Sequence, residues 1–330
     1  MTGDAMTAIS VGQDPEWSTL SAPEALRRHA PAVTEALRFL ESAIAVSAID
    51  VAVVRQTCAE ALGLSPLDLG PVDGDGDGGG GGERSDRLRI AATFAGQFSV
   101  DVSVLDDTLR QRFTGEYRRQ AFPLVQMIWV ADMVPRVRAA LDGLFGSSPA
   151  DWAALPPVPT EDPWPLVEEF TRVVYNLHAL DPVTSEIVRL RGARQHDCRL
   201  CRSLRSRPAL AAGATEQLFD AIDHADSRSA DGELSPRHRT AIALTDAMIW
   251  QPAAIAESVL AEVREHYSPA EAVEIVLDVM RNAANKIAVS LGADEARITE
   301  GTEIYDIDPD GTMHIGLDEP LASERGGPVA

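Results

Sequence analysis

Hydrophobic residues recur along much of the chain at intervals of three and four positions, the spacing that places side chains on one face of an α-helix. The clearest example follows Ser268-Pro269-Ala270-Glu271, a sequence typical of a capping box at a helix N-terminus. Apolar residues then occupy positions 273, 276, 277, 280, 284, 287, 288 and 291, and Gly292 is suited to end the helix. We therefore predict an all-α fold that closes with one long helix over 268–292.

The same periodicity predicts helices in the first half of the sequence. Segments from Pro23 to Leu40 and from Arg87 to Val104 have a helical pattern, and 106–146 holds one or two further helices. Within that last stretch Pro123 is placed near a helix start, where proline is tolerated. Pro135 falls later in the apolar pattern and is predicted to kink the helix.

Proline and glycine divide the chain into predicted units. Five prolines between 150 and 165 indicate a linker between a helical N-terminal domain, 1–149, and a second helical domain, 166–298. Aspartate and glycine dominate 73–83, which predicts a flexible loop because glycine loses much conformational entropy on ordering. Residues 299–330 form a mixed tail, whose Asp-Gly pair at 310–311 is suited to the turn of a small hairpin.

Composition and charge narrow the classes of function. The 330 residues are 45% hydrophobic and 24% charged, as in ordinary globular proteins. The formal net charge of −22 argues against nucleic acid and anionic membranes as partners, because both require a cationic surface. The N-terminus lacks the pattern of a signal peptide, no apolar run reaches eighteen residues, and three cysteines fit a reducing compartment. We therefore predict a cytoplasmic protein.

The stretch from Glu186 to Arg205 carries the residues with distinctive chemistry. Cys198 and Cys201 form a Cys-x-x-Cys pair that begins twelve residues after Glu186. Asp197 is a good N-cap, so Cys198 is predicted to open a helix, on which residues three apart can meet as a dithiol or a disulfide. The positive helix end and Arg205 favour a thiolate, whereas Asp197 opposes it. A nearby carboxylate such as Glu186 would accept the thiol proton.

This stretch resembles the active site of the carboxymuconolactone decarboxylase superfamily, in its AhpD-like alkylhydroperoxidase branch. Glu186, Cys198 and Cys201 match the family pattern in residue type and spacing. The likeness continues through 267–292, which resembles the closing helix of the family. In total it covers about residues 166–295.

The resemblance implies a thiol-dependent reduction of hydroperoxides. Cys201 would attack the peroxide and become a sulfenic acid, with which Cys198 would condense to form a disulfide. A dithiol reductant such as a lipoyl protein would restore the pair, and we predict neither a cofactor nor a metal. Family members form homo-oligomers. The apolar pattern of 122–141 is like that of the closing helix, so we interpret the N-terminal half as a degenerate second copy without the cysteines.

Two departures from the family pattern bear on the mechanism. Arg205 stands where the family has a relay histidine, and Leu200 replaces a second histidine that some peroxidase members carry. Because arginine stays protonated, Arg205 cannot pass a proton and is expected to act through its charge. His196, two residues before Cys198, is either an exposed loop residue or a substitute for the missing relay histidine.

Other interpretations of the same residues stay open. One alternative is that the cysteine pair supplies two of four zinc ligands, although no histidine shows the spacing of a ligand. Another is that the two cysteines are an inert pair in the core. The isolated Cys58 is expected to be a buried apolar residue. Seven arginines between 189 and 207 form either a solvated face paired with acids or a docking site for an anionic substrate or acidic redox partner. The alternative functions are a decarboxylase-like non-redox enzyme and a redox sensor or helical assembly module without turnover.

Overall fold

A computed structural model describes residues 14–69, 81–153, 155–224 and 232–318, and within these ranges the protein is predominantly α-helical. The predicted all-α fold class is therefore confirmed. Before residue 180 the helices are α1 (Glu16–Thr19), α2 (Ala22–His29), α3 (Pro31–Ser42), α4 (Ala48–Leu62), α5 (Gly81–Val100), α6 (Asp107–Tyr117), α7 (Ala121–Phe145) and α8 (Trp164–Tyr175). After it they are α9 (Pro182–Gln195), α10 (Arg199–Arg202), α11 (Arg207–Ala211), α12 (Glu216–Ala221), α13 (Pro236–Trp250), α14 (Glu257–His266), α15 (Pro269–Asn282) and α16 (Asn285–Leu291).

Short strands add two small sheets to the described part of the helical fold. The strands β1 (Ala43–Ile44) and β2 (Val158–Pro159) pair in parallel. The second sheet has the order β3 (Leu204–Ser206), β4 (Glu303–Ile307) and β5 (Met313–Leu317), with β3 parallel to β4 and β4 antiparallel to β5. The predicted hairpin in the tail is present, and its turn holds Gly311 at a φ of 93°, which glycine adopts readily.

Local capping explains where the main helices of the second half begin. Ser268 and Glu271 form the predicted capping box at the start of α15. The Ser235 side chain accepts the His238 N–H at the start of α13, which ends at Trp250. At the start of α9, Asp181 accepts the Thr184 N–H in the same way.

Two predicted helices are interrupted in the structure. The helix expected over 23–40 is divided at Ala30, which has φ −141° and ψ 60° because the ring of Pro31 disfavours helical backbone in the preceding residue. The closing helix is divided into α15 and α16, and two asparagines, 282 and 285, flank the break. Asparagine is a poor helix former, so the interruption falls where local helix propensity is weak.

Helix α7 lies at the centre of the fold. It is buried on nearly all sides, and it packs against α4, α15 and α16. Pro135 lies inside it, and the helix continues past this residue. The main hydrophobic core runs from Trp17 to Val289 and takes side chains from both sides of the proline-rich segment.

The predicted division into 1–149, 150–165, 166–298 and 299–330, and the interpretation of the first unit as a degenerate copy, stay predictions. The proline-rich segment contributes β2 and a short 3₁₀ turn at Pro149–Asp151. Most of the predicted loop over 73–83 lies outside the described residues. Helix α5 begins at Gly81, so the last three positions of the predicted loop, 81–83, are helical.

Candidate functional site

The two cysteines lie in the turn that joins α9 to α10, residues 196–202, which we call the cysteine turn. Helix α9 ends with His196 as its C-cap, and Asp197 adopts a φ of 50°, which lets the chain reverse. Cys198 and Cys201 are joined in a disulfide, with a Cα–Cα distance of 5.3 Å. The predicted closeness of the pair is present in the described structure.

The start of α10 differs by one residue from the prediction. Cys198 itself is the N-cap, and its Sγ accepts the Cys201 N–H at 3.2 Å. Asp197 does not cap the helix; its carboxylate pairs with Arg202 at 2.5 Å. Asp197 has a φ of 50°, whereas Cys198 has the extended backbone, φ −72° and ψ 105°, that is typical of an N-cap residue.

The two cysteines differ in their exposure to solvent. Cys198 is 1% exposed and belongs to the main hydrophobic core. Cys201 is half-buried, and packs against the edge of the same core. A small reagent from solvent therefore meets Cys201 before Cys198.

Asp294 holds the cysteine turn from the far end of the sequence. Its carboxylate accepts the Arg199 N–H at 2.9 Å and pairs with the Arg199 guanidinium, and its carbonyl accepts the Leu200 N–H at 2.9 Å. Burial opposes ionisation, but the hydrogen bonds from Arg199 lower the pKa of Asp294 overall. No local pattern in the sequence indicates this role of Asp294, because the turn that it holds lies almost a hundred residues away.

Glu186 reaches the cysteine turn through Arg189. The Glu186 carboxylate is 2% exposed and accepts two bonds from the Arg189 guanidinium, each at 2.6 Å. Arg189 donates in turn to the carbonyls of Cys201 and Leu204, each at 2.8 Å. Glu186 also accepts the Ser206 N–H at 3.0 Å. Among the described contacts, the Glu186–Arg189 ion pair therefore reaches the cysteines through the main-chain carbonyl of Cys201 and not through a sulfur atom.

The tail hairpin completes this arrangement with Tyr305. Its hydroxyl donates to Glu186 at 3.2 Å, and the Arg189 guanidinium lies 5.1 Å from the centre of its ring. Burial raises the pKa of Tyr305 well above its usual value, so the hydroxyl stays a donor. The Asp-Gly pair at 310–311 predicted a hairpin in the tail, but nothing local indicated that Tyr305 would contact Glu186.

His196 is buried, so its interpretation as an exposed loop residue is wrong. It is 4% exposed, and its Nδ1 lies 2.9 Å from the Asn285 side-chain oxygen. Burial and the nearby Lys286 charge lower the pKa of His196 to about 3, so the imidazole is neutral near pH 7. The hydrogen bonds described for the protein do not join this ring to either sulfur, although it lies two residues from Cys198.

A second ionic group lies inside the core, close to His196. Asp132 on α7 is fully buried and pairs with Lys286 at 2.5 Å and with Arg136 at 2.8 Å. We call these three residues the interior ion network. Arg136 also donates to the main-chain carbonyls of Met248 and Ser99. The network therefore ties α7 to α5, α13 and α16.

Arg205 does not share a helix face with the cysteines. The prediction that it lies beside them and favours a thiolate was based on a shared helix and is corrected by the structure. Helix α10 ends at Arg202, and Arg205 lies in β3, where it is 7% exposed. Its guanidinium pairs with Glu216 at 2.9 Å and lies 5.4 Å from the centre of the Phe219 ring. The parallel pairing of β3 with β4 sets this position, and that pairing depends on residues about a hundred positions away.

The arginine cluster between 189 and 207 forms ion pairs with acidic side chains. Six of its members pair in this way, as Arg189–Glu186, Arg191–Asp246, Arg194–Asp223, Arg199–Asp294, Arg202–Asp197 and Arg205–Glu216. The pairs neutralise most of the local positive charge. This favours the interpretation of the cluster as a paired face over that of an anion-docking site.

Within the described residues, no three or more histidine, cysteine, aspartate or glutamate side chains are grouped closely enough to hold a metal ion. Over the same ranges, the helices lack the combination of length and apolar character needed to cross a bilayer.

The fold and the cysteine turn define an all-helical protein with a Cys-x-x-Cys disulfide at the edge of its core. Two proteins from two strains of Mycobacterium tuberculosis, named uncharacterized protein MT2376 and uncharacterized protein Rv2313c, are each 42% identical to the chain over 272 residues. The match covers 80% of this chain and 90% of each relative, so the chain belongs to the same protein family as these two. No protein-family model matches the sequence, and no solved structure matches it significantly.

Proposed function

We propose that this protein is a thiol-dependent hydroperoxide reductase of the AhpD-like branch of the carboxymuconolactone decarboxylase superfamily. The observation that carries the proposal is the pairing of a half-buried Cys201 with a buried Cys198 at disulfide distance. When an accessible thiol is oxidised to a sulfenic acid, a protected thiol beside it can condense with that sulfenic acid to form a disulfide, without a second protein.

The proposed cycle has three balanced steps. The Cys201 thiolate attacks the terminal oxygen of ROOH, so an S–O bond forms as the O–O bond breaks; Cys201 becomes a sulfenic acid, and the alkoxide takes up a proton and leaves as ROH. The Cys198 thiol then displaces water from that sulfenic acid and forms the disulfide. A dithiol reductant such as a lipoyl protein reduces the disulfide and is itself oxidised to a disulfide.

In this cycle we assign Glu186 to positioning the cysteine turn through Arg189. Its carboxylate is held by Arg189, Ser206 and Tyr305, and the guanidinium of Arg189 holds the Cys201 carbonyl. The first proposal for Glu186, acceptance of the thiol proton, requires a path from sulfur to carboxylate that these contacts do not supply. The neutral His196 ring donates its Nδ1–H to the Asn285 side-chain oxygen, which leaves Nε2 as its proton acceptor, but burial disfavours the protonated ring.

The setting proposed for this chemistry follows from the reductant. A dithiol donor is maintained in a reducing compartment, so we propose a cytoplasmic location. We also propose a homo-oligomer, as the family resemblance implies.

A peroxidase assay tests the proposal. Reduced protein is mixed with tert-butyl hydroperoxide and dihydrolipoamide, and dihydrolipoamide oxidation is followed for wild type, Cys201→Ser, Cys198→Ser and the control Cys58→Ser. We expect sustained turnover in wild type and Cys58→Ser and none in Cys201→Ser. Cys198→Ser should be oxidised at Cys201 without forming the intramolecular disulfide.

Two results would count against the proposal. Wild type that forms one disulfide per chain without turnover is a redox sensor. Wild type whose thiols are unchanged by peroxide holds an inert pair, which leaves the non-redox decarboxylase-like alternative.

A further inference from the structure

A cavity of ≈ 130 Å³ lies beside α9 and α15, on the side of Glu186 that faces Tyr305. It is separate from the cysteines, since neither is among the residues that line it. Apolar side chains, including Val174, Leu177 and Leu180, form one part of its wall, and Tyr175 and Tyr305 form another. The cavity is large enough for several non-hydrogen atoms of a ligand.

Two buried carboxylates on successive turns of α15 face this cavity. Glu274 is 4% exposed, and its Oε2 accepts the N–H groups of Ala179 and Leu180 at 2.7 and 3.1 Å. Asp278 is 2% exposed, and burial raises its pKa although Arg281 and the Ser185 hydroxyl oppose this rise. Its Oδ1 accepts from Arg281 at 3.0 Å, whereas Oδ2 has no hydrogen-bond partner in the described structure. A buried carboxylate oxygen without a donor is costly, so this atom points to a missing donor.

The charges around the cavity leave one carboxylate unbalanced. Glu186 pairs with Arg189, and Asp278 pairs with Arg281. Glu274 has no cationic partner among the ion pairs of the described residues, and its neighbour Asp278 adds to the negative potential. Burial and the negative charge of Asp278 raise the pKa of Glu274 to about 7, against the opposing effects of the N–H groups of Leu180 and Ala179 and the charge of Arg281.

We propose that this cavity binds a small molecule that carries a protonated amine. The ammonium group donates to Asp278 Oδ2 and to Glu274, which supplies the missing donor and neutralises the unbalanced charge. The apolar wall accommodates a short carbon chain, whereas the rings of Tyr175 and Tyr305 already have the guanidinium groups of Arg281 and Arg189 at 5.5 and 5.1 Å from their centres. The inference does not rest on the proposed thiol cycle, because it uses neither cysteine.

Calorimetric titration of the full-length protein with n-butylammonium chloride tests the proposal, with n-butanol as a neutral probe of nearly the same shape. We expect saturable binding of n-butylammonium and no saturable binding of n-butanol at the same concentrations. Asp278→Asn should weaken the binding about tenfold or more, because a hydrogen bond to a charged group is lost. Glu274→Gln, which leaves the pairing of Asp278 with Arg281 in place, should weaken it as well.

Asp246→Asn is the matched control variant, because Asp246 also pairs with an arginine, Arg191, but does not line the cavity. It should bind n-butylammonium as wild type does. Absence of saturable n-butylammonium binding to wild type up to about 50 mM, well above the millimolar range of weak ligands, would overturn the proposal. Equal binding of n-butanol would overturn it too, as would unchanged affinity in folded Asp278→Asn and Glu274→Gln.

Discussion

The surroundings of Cys58 and those of the cysteine turn place the same residue type in opposite conditions. Cys58 on α4 is fully buried and lies 4.0 Å from the Ile128 carbonyl. Burial and the Asp132 charge raise the pKa of the Cys58 thiol to about 12. Cys201 is half-buried at a turn and has a second cysteine beside it. The comparison shows that position in the fold, more than residue type, decides which thiol is available for chemistry.

The charges near these cysteines differ in the same way. The interior ion network near Cys58 is almost fully buried, so each of its charges depends on its partners for stabilisation. In the cysteine turn, the side chains of Arg202 and Asp197 are 53% and 60% exposed, and water can replace either partner. The stability of the first region therefore depends strongly on its ion pairs, whereas the Arg202–Asp197 pair contributes little to the stability of the second.

The largest difference is expected in thiol reactivity. At pH 8 a thiol with a pKa of about 12 has roughly a thousandth of the thiolate of one near 9, before any steric protection is counted. Native reduced protein should therefore lose the Cys201 thiol to iodoacetamide first and the buried Cys198 thiol more slowly, while Cys58 is kept; denatured protein should lose all three. Peptide mass analysis identifies the modified residues. Rapid modification of Cys58 in folded protein would contradict the contrast drawn between the two regions.

The next largest effect is expected for stability. Asp132→Asn leaves the charges of Lys286 and Arg136 buried without their carboxylate, and should destabilise the protein by about 3–5 kcal/mol. Asp197→Asn removes the carboxylate of an exposed pair, and should cost less than about 1 kcal/mol. Urea denaturation of both variants and wild type gives the two free energies. Similar losses in the two variants would show that the regions do not differ as proposed.

A smaller effect is expected from His196 on acidification. The folded-state pKa of about 3 lies below the unfolded value near 6.5, so the unfolded chain binds more protons between these values. This residue therefore costs stability as the pH falls below about 6.5, by up to about 1.4 kcal/mol per pH unit, or about 2 kcal/mol between pH 6.5 and 5.

His196→Gln, which keeps a side chain able to bond to Asn285, should reduce that acid sensitivity. Glu274 acts in the opposite sense, because its raised pKa lowers stability as the pH rises from about 4.5 to about 7. Because Glu274 is present in both proteins, its contribution cancels when the unfolding free energy of His196→Gln is subtracted from that of wild type. Parallel curves of unfolding free energy against pH would show that His196 is protonated in the folded protein.

The success of the sequence predictions depended on how far apart the interacting residues lie. The capping box at Ser268, the hairpin turn at Gly311 and the closeness of Cys198 and Cys201 depend on residues within a few positions, and the structure contains all three. The contacts of Tyr305 with Glu186 and of Asp294 with α10 join residues about a hundred positions apart. Periodicity and spacing carry no information on such contacts, and the misplacement of Arg205 had the same cause.

The smallest effect is expected for Arg205, which on the sequence alone was expected to act on the thiol through its charge; a single nearby charge typically shifts a pKa by about one unit. In the structure its guanidinium is paired with Glu216 and bonded to the carbonyls of Arg202 and Leu204. A charge whose field is largely cancelled by a paired carboxylate has little influence on a more distant sulfur. Arg205→Ala should therefore shift the pH profile of Cys201 alkylation by no more than a few tenths of a unit, within the range of screened surface charges.

The measurement is best made in a Cys58→Ser background, with Arg205→His beside Arg205→Ala. Removal of Glu216 in Glu216→Gln provides the matched control, because it leaves the arginine charge in place without its partner. If Glu216→Gln lowers the pKa of the Cys201 thiol while Arg205→Ala leaves it unchanged, the ion pair with Glu216 prevents the charge of Arg205 from acting on the sulfur. A rise of about one unit in Arg205→Ala would instead return Arg205 to the role of thiolate stabiliser, and would require the cysteine turn to bring the guanidinium close to sulfur when the disulfide is reduced.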